Sequence, residues 1–205
     1  RLLGRRSYFG AMMVRMGEAD GLLAGLTKSY ADSIRPALEV VGLAEGHRAA
    51  AGVYVVIQKE RVMFFADGSV NVEPSAEQLA NIAHLGAETA RWFGFDPVVA
   101  VLSSSNYGSV RDERTARLAR AIEIAKQRWP DLVVDGEMQA DIALDPERRA
   151  TRFGFSEIKG EANVLVFPNL DAAHIGVFGY GVGGQLAALL GTTSDVSTLE
   201  GDEGN

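Results

Sequence analysis

The sequence predicts a three-layer α/β fold, in which a mostly parallel sheet is flanked by helices and carries an inserted β-hairpin. Residues 98–102 form an unbroken run of apolar, mostly β-branched side chains, which is typical of a strand covered on both faces. Helical patterns precede and follow this run, and strand–helix–strand order implies a right-handed crossover between parallel strands. With 205 residues, 47% of them hydrophobic, the chain is long enough to bury a substantial core.

The first fifty residues predict two helices separated by a short strand. Residues 7–16 place apolar side chains on one side of a helix that Gly17 ends, and residues 21–26 resemble a buried strand. A second helix is expected to begin near Arg35 and Pro36, because proline is tolerated in a first helical turn. Arg35 would then lie near a helix N-terminus, where its guanidinium either holds a phosphate group or is an ordinary solvated charge.

A hairpin and a long helix are predicted next. The runs 53–57 and 62–66 are rich in β-forming residues and are joined by four polar residues. Ser75 and Gln78 have the spacing of a capping box, and Gly94 is expected to end the helix that follows. The apolar face of this helix consists of Leu79, Ile82, Ala83, Gly86, Ala90 and Phe93.

The loop after the central strand is the main candidate for a binding site. Ligands of α/β sheets collect where the carboxyl end of a strand opens into the loop before the next helix. The hydroxyls, carboxamide and backbone N–H groups of this loop suit a phosphate or a carbonyl oxygen, and an ordinary polar loop with a capping serine is the alternative. The candidate ligand-binding residues here are Ser103, Ser105, Asn106, Tyr107, Gly108 and Ser109.

Three carboxylates follow the next predicted strand. Asp135, Glu137 and Asp141 offer oxygen ligands for a divalent cation, but without a second cluster of ligands we favour loop solvation or helix capping as their role. One more buried strand is predicted at residues 163–167.

Composition restricts the classes of function. A formal charge of -7 argues against general nucleic-acid binding, and the row of Arg111, Arg114, Arg117 and Arg120 is interleaved with acidic residues, as on a solvated helix face. No apolar run has the length of a membrane span. There are no cysteines, and the three histidines lack the spacing of metal ligands, so no metal site is predicted from them. We expect a cytoplasmic protein and a fragment of a longer chain.

The segment from Gly179 to Gly184 matches the G-x-G-x-x-G pattern of dinucleotide-binding loops. That pattern should open a substantial helix within a βαβ unit, whereas the helical pattern here is short and an acidic tail follows. We therefore do not assign a dinucleotide site to it.

Much of the chain resembles the phosphate acetyl/butyryltransferase family. The resemblance rests on M-M-V-R-M-G-E-A-D-G-L-L-A-G at 12–25, S-I-R-P-A-L at 33–38, F-A-D-G-S-V-N-V-E-P-S-A-E-Q-L at 65–79, L-S-S-S-N-Y-G-S at 102–109, D-G-E-M-Q-A-D at 135–141 and K-G-E-A-N-V-L-V-F-P-N-L-D-A-A at 159–173. It implies part of a two-subdomain phosphotransacetylase fold, similar to that of isocitrate and isopropylmalate dehydrogenases. The implied division is a partial first subdomain at 1–51, a second at 52–175, and a divergent, poorly ordered end at 176–205.

Two motifs narrow the resemblance. S-N-Y-G-S and D-G-E-M-Q stand where stand-alone phosphotransacetylases tend to carry S-T-x-G-S and D-G-x-L-Q. This variant is similar to the C-terminal domain of large bacterial NADP-dependent malic enzymes, which is thought to bind acetyl-CoA as a regulator. The parent enzyme would convert malate to pyruvate and CO₂ with NADP and a divalent metal, none of which this fragment is expected to hold.

The resemblance also predicts what is missing. The catalytic serine–arginine pair of the family and its acidic partner lie beyond the P-N-L-D-A-A segment, where this chain diverges after Ile175. No catalytic residue is therefore assigned. The leading expectation is a non-catalytic, homo-oligomeric domain that binds acetyl-CoA or a related acyl-CoA with Arg35 and the loop at 103–109, and binds neither nucleic acid nor membrane. The alternatives are an active phosphate acetyltransferase and an oligomerisation module without a ligand.

Overall fold

A computed structural model describes residues 4–44, 49–58 and 61–189, with residues 180–189 described by their backbone alone. The chain separates into two compact units, Arg1–Ala50 and Ala51–Asn205. The subdomain bounds implied by the family resemblance stay a prediction.

The regular structure described in the first unit is helical. Helix α1 spans Arg6–Arg15, helix α2 spans Tyr30–Pro36, and α2 continues into a wider π-helical turn at Ala37–Val41. The predicted helix at 7–16 is therefore present, and Gly17 follows it with a φ of +74°, as expected of a glycine after a helix end.

Two predictions for the first unit are wrong. Residues 21–25 have no regular structure, and Leu23 and Leu26 are fully exposed, because no strand is described between residues 4 and 44 that could pair with them. The second helix begins five residues earlier than expected, since Ser29 caps it by accepting a hydrogen bond from the Asp32 N–H at 3.2 Å. Arg35 consequently lies in the last turn of α2 and not at a helix N-terminus.

The second unit contains a five-stranded sheet, which confirms the predicted fold class. Strands β1 (Val53–Gln58), β2 (Arg61–Ala66), β3 (Val98–Leu102), β4 (Val133–Met138) and β5 (Val164–Val166) lie in the order β1-β2-β5-β3-β4. The four strands from β2 to β4 in this order are parallel, and β1 pairs antiparallel with β2. The predicted hairpin is thus the edge of the sheet.

Helices cover both faces of the sheet, and the crossover direction explains which face each one covers. Helices α3 (Ala76–Trp92) and α4 (Glu113–Arg128) follow connections that run towards β4, and they pack against Val99 and Val101 of β3. The return from β4 to β5 carries α5 (Ala140–Leu144) and α6 (Pro146–Arg152), and residues of α5 pack on the other face with Ala100 and Leu102. Successive side chains of β3 therefore pack alternately into two hydrophobic cores, one on each face of the sheet.

Helix starts in this unit follow their sequence signals. Ser75 accepts a hydrogen bond from the Gln78 N–H at 3.3 Å, and the Gln78 side chain accepts from the Ser75 N–H at 2.9 Å. The predicted capping box is therefore present.

The C-terminal helix differs from its prediction. Helix α7 spans Leu170–Leu189, so residues 176–189 are helical where a poorly ordered segment was expected, and residues 190–205 lie outside the described part. The segment from Gly179 to Gly184 falls inside this helix and not at a strand-to-helix turn, where a dinucleotide-binding loop would lie. Within the residues described, no helix is both long and apolar enough to cross a membrane.

Candidate functional site

The carboxyl ends of the four parallel strands bring several loops to one edge of the sheet. Strands β2, β5, β3 and β4 end at Ala66, Val166, Leu102 and Met138. The candidate loop at 103–109 follows β3, and the D-G-E-M-Q motif lies mostly on the neighbouring strand β4. This edge is where ligands of parallel α/β sheets bind.

A buried serine and a buried glutamate fix the centre of the loop. The Ser105 hydroxyl donates to Glu137 Oε1 at 2.8 Å and accepts from the Val110 N–H at 3.0 Å. The Gly108 N–H donates to the same carboxylate oxygen at 2.7 Å. Ser105 is 0% exposed and Glu137 is 3% exposed, so these groups form a structural anchor between β4 and the loop.

Tyr107 holds the loop on its other side. Its φ of +50° is unusual for a residue with a side chain, and its N–H donates to the Glu137 carbonyl at 2.7 Å. The hydroxyl donates to Asp135 Oδ2 at 3.0 Å, while the ring packs on Phe153 and Phe155. Burial of the phenol raises the pKa of Tyr107 well above its ordinary value, and the nearby Asp135 charge raises that pKa further.

The side chains of Asn106, Ser109 and Ser103 are also engaged within the protein. Asn106 donates through Nδ2 to Gln139 Oε1 at 2.8 Å and accepts the Gln139 N–H through Oδ1 at 2.8 Å. The Ser109 hydroxyl accepts the Asn106 N–H at 2.9 Å, and the Ser103 hydroxyl accepts the Ser105 N–H at 3.1 Å. The loop is therefore pre-organised by its own hydroxyl and amide groups, which sequence reasoning had assigned to a ligand.

A cleft of about 460 Å³ opens beside the end of this loop, against the first turns of α4. The walls combine small or apolar positions with a few charged ones. Its lining residues are Gly108, Val110, Arg111, Asp112, Glu113, Thr115, Ala116, Ala119 and Glu137.

The charge of the cleft is weakly acidic. Asp112 caps α4 by accepting the Thr115 N–H at 2.9 Å, and it forms an ion pair with Arg114 at 2.6 Å. The Thr115 N–H hydrogen bond, and then Arg114, lower the pKa of Asp112. Arg114 neutralises the charge of Asp112. The remaining charged residues of the lining are one basic residue, Arg111, and two acidic residues, Glu113 and Glu137.

The candidate cation ligands have partners within the protein. Asp135 accepts from the Ser156 hydroxyl at 2.7 Å and from the Glu157 N–H at 2.9 Å, and Asp141 is paired with Arg148 at 3.0 Å. No group of three potential metal-binding side chains is assembled among the described residues. The three carboxylates therefore have contacts within the protein, and the expectation that no metal binds here stays a prediction.

The arginine row behaves as a solvated helix face over most of its length. Arg114 pairs with Asp112, Arg120 pairs with Glu123 at 2.9 Å, and Arg117 binds Glu73 at 3.1 Å. Arg111 differs from these, since it lies at the cleft.

Of the seven candidate ligand-binding residues, the structure groups six in the loop of the second unit. Arg35, the seventh, is an exposed residue of the first unit. Gly108 is the loop candidate that lines the cleft. The binding role of all seven stays a prediction.

Sequence reasoning missed a second organised loop at this edge. Asp67, 3% exposed at the end of β2, accepts from the N–H groups of Gly52 at 2.8 Å, Ser69 at 2.9 Å and Asn71 at 2.8 Å. The D-G-S-V-N sequence is a recognisable signal for such a loop, because aspartate commonly accepts backbone N–H groups two to four residues ahead.

The fold and this edge define a parallel α/β domain with pre-organised loops and a cleft at the carboxyl ends of its strands. The chain belongs to the phosphate acetyl/butaryl transferase family, whose model matches residues 1–187. The match extends twelve residues beyond Ile175, and the expected divergence after that residue stays a prediction.

Relatives include both kinds of protein that the motifs indicate. The chain is 44% identical to a phosphate acetyltransferase of Bacillus subtilis over 170 residues, which are 83% of this chain and 53% of that protein. It is 39% identical to the NADP-dependent malic enzyme of Escherichia coli over 174 residues, which are 85% of this chain and 23% of the enzyme. The chain thus spans about half the length of the phosphate acetyltransferase and a quarter of the malic enzyme.

Solved structures agree with the fold. A phosphotransacetylase from Streptococcus pyogenes has a TM-score of 0.82 and 39% identity, with 89% of this chain and 55% of that chain covered. The EutD phosphotransacetylase from Staphylococcus aureus has a TM-score of 0.81 and 34% identity, with 91% and 57% covered.

Proposed function

We propose that this chain is a phosphotransacetylase-like domain that binds acetyl-CoA or a related acyl-CoA without transforming it, as the regulatory part of an NADP-dependent malic enzyme. The observation that supports it most is the cleft beside Gly108, which reaches a loop in which the side chains of Ser103, Ser105, Asn106, Tyr107 and Ser109 already have partners. Such a loop can contact a ligand through its surface and its backbone groups, while its bonded hydroxyl groups stabilise the loop itself.

The cleft suits the slender, uncharged end of an acyl-CoA. Val110, Ala116 and Ala119 give apolar walls for a pantetheine chain and a short acyl group. Glu113 and Glu137 repel phosphate groups, so the nucleotide end of the ligand would remain outside, with Arg111 as the nearest basic lining residue.

The state of the hydroxyl groups argues against a covalent acyl-enzyme intermediate on this chain, whereas direct transfer between the CoA sulfur and a phosphate oxygen needs no such hydroxyl and is tested by the assay below. Ser105 is fully buried and bonded to Glu137, so it is not accessible as a nucleophile. Thr115 is the hydroxyl residue lining the cleft, and its Oγ1 accepts from the Asp112 N–H at 3.0 Å and donates to the Asp112 carbonyl at 3.1 Å. A nucleophile needs a free hydroxyl beside a base.

Regulation requires the ligand to bind one state of the parent assembly better than another. The parent reaction would be the oxidative decarboxylation of malate, with NADP and a divalent metal held by other domains. We place the parent in the cytoplasm as a homo-oligomer.

A second candidate is an active phosphate acetyltransferase, which moves an acetyl group between the CoA sulfur and a phosphate oxygen. It is favoured by the 44% identity to the Bacillus subtilis enzyme, against 39% to the malic enzyme. In that case the groups that carry the reaction come from outside the cleft described above.

Calorimetric titration of the purified chain with acetyl-CoA tests binding, with the variant Ala119→Trp to fill the cleft. The variant Ala150→Trp is the control, because Ala150 is also an exposed helical alanine but lies on α6. We expect the affinity to fall roughly tenfold or more in the first variant, equivalent to about 1.4 kcal/mol, and to stay unchanged in the control. Equal affinity in both variants, or no heat at millimolar acetyl-CoA, contradicts the proposal.

An assay of acetyl-CoA formation from acetyl phosphate and CoA separates the two candidates. We expect no turnover above the uncatalysed rate. Turnover by the chain would establish the second candidate in place of the first.

A further inference from the structure

Within the described part of the chain, Glu137 uses one of its two carboxylate oxygens. Its Oε1 accepts a hydrogen bond from the Ser105 hydroxyl at 2.8 Å and another from the Gly108 N–H at 2.7 Å. Its Oε2 has no hydrogen-bond or ion-pair partner among the residues that the structure describes. This differs from the usual state of a side chain that is 3% exposed, because buried polar atoms are nearly always hydrogen-bonded.

The unused oxygen belongs to the wall of the cleft, since Glu137 is one of the residues that line it. The two hydrogen bonds to Oε1 hold the carboxylate against the loop, and Ser105, which donates one of them, is fully buried. Oε2 is therefore the oxygen that a molecule in the cleft can reach. It is also held in place before that molecule arrives, which reduces the entropy lost on binding.

The chemistry of this oxygen restricts what it can bind. A carboxylate accepts hydrogen bonds and repels anions, so the matching group is an N–H or O–H donor and not a phosphate oxygen. The neighbouring walls of the cleft at Val110, Ala116 and Ala119 are apolar, so the donor should be carried on a slender and mostly apolar chain. The pantetheine arm of an acyl-CoA is such a chain, because amide N–H groups alternate with methylene groups along it.

We propose that Glu137 is a ligand-binding residue, whose Oε2 accepts a hydrogen bond from an amide N–H of the pantetheine arm. This inference rests on the proposed binding of an acyl-CoA and assigns one specific contact to it. A hydrogen bond from an N–H to a carboxylate belongs to the stronger, charge-assisted class. The same contact disfavours an acyl phosphate, because the charged oxygens of that ligand would meet the Glu137 carboxylate.

Glu137→Gln tests the contact and keeps the anchor, because the amide oxygen of glutamine can accept the hydrogen bonds of Ser105 and Gly108. The amide nitrogen then replaces Oε2, and it cannot accept an N–H. The probe is S-acetylpantetheine, which is uncharged, so the change in protein charge does not act through phosphate groups. In calorimetric titration we expect its affinity to fall about tenfold or more. Glu147→Gln, an exposed change on α6 that removes the same charge, is the control and should leave the affinity unchanged.

Ligand analogues test the same contact on the unmodified chain, and they decide the matter if Glu137→Gln fails to fold. In each analogue an ester oxygen replaces one amide N–H of S-acetylpantetheine, which keeps the length of the chain and removes a donor. We expect one of these analogues to bind about tenfold more weakly than S-acetylpantetheine itself.

The outcomes separate this inference from the proposed function. Unchanged affinity in a folded Glu137→Gln, an equal loss in Glu147→Gln, or equal affinity for S-acetylpantetheine and every ester analogue overturns the inference, and water alone then binds Oε2. Binding of acetyl-CoA without binding of S-acetylpantetheine also overturns it, because the ligand is then held elsewhere. If the unmodified chain binds neither thioester, the proposed function itself fails, and this inference fails with it.

Discussion

The Ser105–Glu137 anchor gives the sharpest prediction for the stability of the domain. Changing Ser105 to alanine removes the hydroxyl that donates to Glu137 Oε1 and accepts the Val110 N–H. Both partners stay in place, and the site at residue 105 is 0% exposed, so no water replaces the lost group. The substitution also leaves a small void.

The magnitude follows from the two groups left behind. A buried donor or acceptor without a partner costs about 1–3 kcal/mol, and more when it is charged. Glu137 keeps the Gly108 N–H, which limits its share of the loss. We therefore expect the free energy of unfolding to fall by about 3 kcal/mol, and Tm to fall by roughly 6–12 °C for a domain of this size.

Urea unfolding followed by fluorescence measures this change, with Ser104→Ala as the control. Ser104 is exposed, and its backbone carbonyl, not its hydroxyl, accepts the Gln139 side chain. An exposed substitution of this kind should change stability by no more than about 0.5 kcal/mol. If Ser105→Ala and Ser104→Ala have the same small effect, the anchor does not hold the loop.

Two further predictions concern Tyr107, beside this anchor, and Asp67, in the loop after β2. Tyr107→Phe should lower the free energy of unfolding by about 1 kcal/mol at pH 8, because Asp135 loses one of its hydrogen bonds. Because folding raises the pKa of Tyr107 above 10.0, the stabilisation by its hydroxyl should be complete below pH 10 and should decline at higher pH. Urea unfolding across pH 8–11 tests this, and a difference in the free energy of unfolding between the unmodified chain and Tyr107→Phe that stays constant with pH would contradict it. Asp67→Ala should lower the free energy of unfolding by more, about 3 kcal/mol or above, because several N–H groups lose their shared acceptor. Thermal unfolding measures this loss, with the exposed substitution Asp131→Ala as the control. Equal losses in the two variants would refute the role of Asp67.

Local signals allowed much of the second unit to be predicted. The run at 98–102 is a strand buried on both faces, and Ser75 with Gln78 starts a helix, because each of these features depends on residues close in sequence. The first unit was harder to predict. Residues 21–26 have the composition of a strand, but strand formation depends on a partner that local sequence does not specify.

The loop after β3 lies where the sequence predicts it in the fold, and its binding role stays a prediction. The partners that most of its polar side chains have within the protein could not be predicted. Ser105 and Glu137 are 32 residues apart and meet because β3 and β4 are adjacent, with a register shift at Val101 and Leu102. Without knowledge of the strand pairing, the sequence alone does not show that Ser105 and Glu137 bind each other, so both look available to a ligand. The same holds for Asp135, whose partners Tyr107 and Ser156 come from two different loops.

Mapping acetyl-CoA on the chain by NMR tests the central claim most directly. In a ¹H–¹⁵N titration, we expect saturable shifts centred on the amides that line the cleft, namely Gly108, Val110, Ala116 and Ala119. Amides of α6, such as Ala150, should not move. Shifts confined to residues outside the cleft, or an unchanged spectrum at millimolar acetyl-CoA, would contradict the account.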